Sequence, residues 1–82
     1  MTRPRRLILA DKPVDWFRVL LDLKREGMSL TAIAWQVDVS KSTVIGWKNL
    51  EAEPRYIDGH HLLRLWHTMT RRPMDEAPRR VL

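Results

Sequence analysis

Cysteine is absent from the 82-residue chain, which excludes a disulfide framework, a thiolate nucleophile and a zinc-thiolate site, and leaves packing to hold the fold together. Long apolar runs are absent too. Leu7-Ile8-Leu9-Ala10 is far shorter than the apolar region of a secretory signal, despite the arginines before it. Nothing approaches the roughly 20 apolar residues of a membrane span, so a cytoplasmic protein without membrane contact is expected. The three glycines form no phosphate-cradling loop, and no nucleophile stands paired with a base, so nothing marks an enzyme. Histidine occurs at 60, 61 and 67. Adjacent histidines point in different directions on a helix, and the spacing to His67 is poor for shared ligation. No metal, cofactor or small-molecule effector is expected.

What is present fits one small folded domain. Hydrophobic residues make up 44% and charged residues 30%, too apolar a mixture for a disordered chain. A chain this short buries only about two-thirds of its unfolded surface and supports one core. The net charge of +5 is unevenly spread. Arg3, Arg5 and Arg6 lie at one end, and Arg71, Arg72, Arg79 and Arg80 outnumber Asp75 and Glu76 at the other. Between them, Leu7 to Thr70 is neutral, with eight residues of each sign. Basic ends beside a neutral body suit phosphate contacts.

Pro13, Gly27, Pro54, Gly59, Pro73 and Pro78 divide the chain into short pieces, without an internal repeat or a low-complexity tract. No stretch alternates like a strand, and helical spacing predicts an all-α fold. The first helix is expected over about residues 12–26, capped by Asp11 and ended by Gly27, with Trp16, Phe17, Leu20 and Leu23 on its buried face. Ser29 caps a second, short helix whose Leu30, Ile33, Ala34 and Val37 recur at i, i+3, i+4 and i+7. After Asp38 and Val39, Ser40 caps a third helix reaching about Leu50, with Val44 and Trp47 inward. Asp58 is read as the cap of a fourth helix that aligns Leu62, Leu65, Trp66 and Met69 before Pro73. Trp16, Trp47 and Trp66 have core spacing, whereas Trp35 falls opposite its helix's apolar stripe and should be partly exposed. Residues 1–11 read as a basic arm, 12–70 as the domain, and 71–82 as a basic, flexible tail.

The informative stretch is 30–49, LTAIAWQVDVSKSTVIGWKN. Two short helices flank a turn of about three residues, with small Ala34 where the helices cross and Asp38 where the turn needs a left-handed backbone. This stretch resembles the helix-turn-helix of lambda-repressor-like and Cro-type phage regulators. The likeness continues through WKNLEAEP, residues 47–54, where a tryptophan ends the recognition helix and a proline follows, and on to Leu62, Leu65 and Trp66. It covers roughly residues 12–70. Asp38 and Leu50 stand where glycines are usual in that family. The resemblance implies a compact four- to five-helix domain that binds double-stranded DNA as a transcriptional regulator.

A third helix in the major groove would present Ser40, Lys41, Ser42, Thr43, Ile45, Gly46 and Asn49 to the bases. Lys41 can donate to guanine, Ser42 can bond several base edges, and Ile45 can meet a thymine methyl. Ser29, Thr31 and Lys48 are expected on phosphates. By the resemblance, Arg3, Arg5 and Arg6 form an arm that reaches around the duplex or into the minor groove. One short helix covers about half a turn of DNA, so a homodimer on paired half-sites is expected, its surface among Leu7 to Leu9, Trp35 and Val81-Leu82. A packaging or excision factor of a mobile element would use the same fold, as would a protein-interaction domain contacting its partner through Ile45 and Trp35.

Overall fold

The computed structural model describes residues 13–80 and places four helices there. They are α1 (Trp16–Arg25), α2 (Leu30–Val37), α3 (Lys41–Lys48) and α4 (Tyr56–Thr70), followed by a single 3-10 turn, Met74–Glu76. The fold is all-α. Among the described residues, the only extended pairing is an isolated antiparallel bridge between Val14 and Arg79.

Local chemistry accounts for most of the boundaries. The carboxylate of Asp15 accepts from Arg18 N–H, the Ser29 hydroxyl from Ala32 N–H and the Ser40 hydroxyl from Thr43 N–H, so each satisfies one donor that a helix start leaves unpaired. The first helix therefore begins at Trp16 behind Asp15, not behind Asp11, which lies outside the described residues. Each helix then stops at a left-handed residue: Gly27 (φ 98°), Asp38 (φ 65°), Leu50 (φ 62°) and Arg71 (φ 61°). At the first three, the next residue donates back to a carbonyl five positions earlier: Met28 to Leu23, Val39 to Ala34 and Glu51 to Gly46. The same closing motif is thus used three times in 25 residues of chain, Gly27 to Glu51.

Leu50 bears this conformation without glycine's freedom, and its side chain is exposed, so packing returns little for the strain. Leu50→Gly is expected to raise stability by up to about 1 kcal/mol, as relief of the left-handed strain exceeds the added chain entropy. A urea titration followed by circular dichroism measures it; a loss of stability would mean that the leucine side chain contributes packing not evident at this exposed site.

The core is built from every helix. Val19, Leu20 and Leu23 of α1 meet Ile33, Ala34 and Val37 of α2, Val44 and Trp47 of α3, and Leu62 and Trp66 of α4. Phe17, expected on the inner face, is instead 42% exposed, because α1 turns Val19 inward. The fourth helix starts two residues ahead of its expected cap. Asp58 lies buried in the first turn and accepts from Arg55 Nε at 3.4 Å. Gly59 is not a break but an inner helix position. A Cβ there would lie 3.0 Å from the Trp16 ring, so the glycine is the seat on which that indole rests.

The segment expected as a flexible tail also differs from its reading. Residues 71–80 fold back along the start of α1, where Asp15 N–H donates to the Pro78 carbonyl (2.9 Å) and Arg80 N–H to the Pro13 carbonyl (2.8 Å). Ala77 is buried against the core. Asp22 of α1 accepts from Trp66 Nε1 at 2.9 Å and from Arg72 Nη2 at 3.0 Å, and the Arg72 guanidinium lies 4.7 Å from the centre of the Trp66 ring. One carboxylate thereby joins α1, α4 and the closing segment.

Candidate nucleic-acid interface

The turn between α2 and α3 has three residues, Asp38 to Ser40. The left-handed Asp38 reverses the chain, Val39 tucks its side chain against the core, and Ser40 caps the next helix. Because Val44 and Trp47 are buried, the register of α3 is set from inside, and its opposite edge must face outward. Ser40, Lys41, Ser42, Thr43, Ile45 and Asn49 are all exposed, while Gly46 and Lys48 are half-buried. Ile45, at 37%, is an apolar group amid polar ones.

Three hydroxyls gather at the start of α3. The Ser40 oxygen lies 2.8 Å from that of Thr43 and 3.1 Å from that of Ser42. Each can turn its proton to suit an acceptor or a donor, a useful property at a mixed array of base edges. The partial positive charge of a helix start, together with Lys41, favours anions at the same end. From Leu30 to Leu50 the only carboxylate is Asp38.

Gly46 has no structural reason to be glycine. A Cβ built there meets nothing within 4 Å, and its φ is not in the left-handed region. A mid-helix glycine weakens the helix by roughly 0.5–1 kcal/mol relative to alanine, so the free chain gains nothing from it.

Comparison with protein-family models, curated proteins and solved structures gives no match.

The expected phosphate contacts divide into three places. Lys48 lies where α3 meets α1, around a small hollow it shares with Phe17, Leu20, Leu21 and Lys24. Lys24 was not singled out in the sequence, although its spacing from Leu20 and Leu21 puts it on that stripe of α1; it is a second lysine lining the same hollow as Lys48. Ser29 and Thr31 are exposed at the far end of α2, about 12 Å along the helix axis from the turn. Arg3, Arg5 and Arg6 lie outside the described residues, as do Leu7 to Leu9 and Val81-Leu82. Trp35 is 79% exposed on α2, far more open than its partly exposed reading.

The His60 and His61 rings lie 6.3 Å apart, tilted to one another, and His67 stands apart from them. His60 stacks on Tyr56, and His67 Nδ1 donates to the Arg72 carbonyl at 2.6 Å beyond the end of α4. Among the described residues, no group of three His, Cys, Asp or Glu is placed to hold a metal ion, and no helix is long and apolar enough to cross a membrane.

Proposed function

We propose that the chain is a sequence-specific, double-stranded DNA-binding transcriptional regulator, a lambda-repressor-like protein of the repressor type found in phages and prophages. The helix-turn-helix is α2, the Asp38 to Ser40 turn, and α3. The observation that carries this reading is the asymmetry of α3: a helix anchored by Val44 and Trp47 whose outer edge is small, polar and basic. Ser40, Lys41, Ser42, Thr43 and Asn49 supply hydrogen bonds to base edges, and Ile45 supplies an apolar contact for a thymine methyl. Gly46 lets the helix backbone approach the groove. Lys48, with Lys24, and the α2 start at Ser29 and Thr31 hold the strand backbone on either side.

A homodimer accounts for specificity that one eight-residue helix does not reach alone. Trp35, the most exposed tryptophan, is the surface proposed for the second copy. Selection of duplexes from a random pool by the full chain at physiological salt tests the reading. One enriched motif is expected, with two symmetric half-sites about one helical turn apart; a pool that stays random through successive rounds counts against it.

A further inference from the structure

A different face of α1 carries a cluster of guanidinium groups. Arg18, Asp22 and Arg25 follow one another at i, i+4 and i+7. At 100° per residue, they lie about a third of a turn around α1 from the stripe that meets Lys48. With Arg72, Glu76 and Arg79 they line a hollow of about 320 Å³ between α1 and the closing segment. Arg18, Arg25 and Arg72 stand there beside Asp22 and Glu76. A second hollow, of about 300 Å³, shares Asp22, Arg25 and Arg72.

The carboxylate of Asp22 is already engaged. It accepts from both Trp66 and Arg72, and its side chain is only 18% exposed. Arg72 is consequently held on one edge by a carboxylate and on one face by an indole, with Nη2 alone committed to a protein acceptor. Among the described residues, the side chains of Arg18 and Arg25 have no hydrogen-bond or ion-pair partner. Two uncompensated guanidiniums on one helix face, beside a third that is pre-oriented, form an array that a tetrahedral dianion would satisfy. The guanidinium fork matches phosphate oxygens in pairs, and an oriented arginine loses less freedom on binding. The hollow's volume is at the lower end of small-ligand sites, which start at roughly 300 Å³.

We infer that this hollow is a seat for a small phosphorylated molecule, with the phosphate held by Arg18, Arg25 and Arg72. Occupancy would tie residues 71–80 more firmly to α1 and stabilise the fold by mass action. The inference is independent of the DNA reading, since it uses another face and other residues.

Calorimetric titration of the full chain with pyrophosphate, against chloride at matched ionic strength, tests it. A Kd below about 1 mM is expected, weakened at least about tenfold by Arg18→Ala with Arg25→Ala. The helical spectrum of that double variant should be unchanged, because both side chains are exposed and neither makes a hydrogen bond or ion pair among the described residues. Equal pyrophosphate affinity in both proteins, or no heat beyond that of chloride, overturns the inference. A duplex DNA arm separates the two sources of phosphate. Loss of pyrophosphate binding with DNA affinity retained supports a small-molecule seat. Displacement of pyrophosphate by duplex, with a parallel fall of DNA affinity in the double variant, assigns the arginines to the DNA backbone and overturns it.

Discussion

Replacing Lys41 and Ser42 together by alanine is expected to weaken binding to a selected duplex by between tenfold and several hundredfold. A well-placed pair of hydrogen bonds to a base is worth about 1–3 kcal/mol of discrimination, and both side chains lie at the exposed start of α3. Affinity for an unrelated duplex should fall much less, because the phosphate contacts proposed for Ser29, Thr31 and Lys48 remain. Stability should stay within about 0.5 kcal/mol, since neither residue supports the core. Fluorescence anisotropy with the two duplexes, beside a urea titration, reads all three quantities. An equal loss on both duplexes would make Lys41 a backbone contact and move sequence reading elsewhere.

The second large effect concerns the core. Trp66→Ala is expected to cost about 3–5 kcal/mol, the range for deleting a fully buried large aromatic. Trp66 is wholly buried and lies under the Arg72 guanidinium, and its indole N–H is one of the two donors that satisfy Asp22. A domain of this size is held by roughly 4–12 kcal/mol, so the variant should lose a large share of its stability, read as a much lower urea midpoint by circular dichroism. Trp66→Phe restores most of the volume but not the N–H, and should lie between the two. Equal stability of the alanine and phenylalanine variants would show that the bond to Asp22, not burial, dominates at this position.

What the sequence discloses and what it hides divide by distance along the chain. Ser29 and Ser40 cap helices through partners three residues away, and Asp38 adopts the left-handed backbone that its short polar side chain tolerates. Val44 and Trp47 are buried as helical spacing requires. Such effects are local and can be read from spacing. The errors come from contacts that spacing does not encode. Asp22 finds Trp66 and Arg72 at separations of 44 and 50 residues, and this draws the closing segment onto α1. Gly59 looks like punctuation until Trp16 is placed against it. Phe17 and Val19 are both apolar, and only the packing of α1 against its neighbours decides which faces inward. At the candidate interface, the exposed edge of α3 was legible because it is the complement of its buried edge. Lys24 was not, because its proximity to Lys48 is made by the crossing of two helices.

Gly46→Ala bears most directly on the role of α3, because the free chain and the proposed complex place opposite demands on that position. In the free chain a Cβ at 46 meets nothing, so alanine should raise stability by about 0.5–1 kcal/mol in a urea titration. On the selected duplex, the same methyl would hold the helix away from the bases, and affinity should fall by about tenfold or more, equivalent to about 1.4 kcal/mol. A more stable protein that binds its duplex less tightly is the predicted result; a more stable protein that binds it as tightly as before would contradict the placement of α3 in the groove.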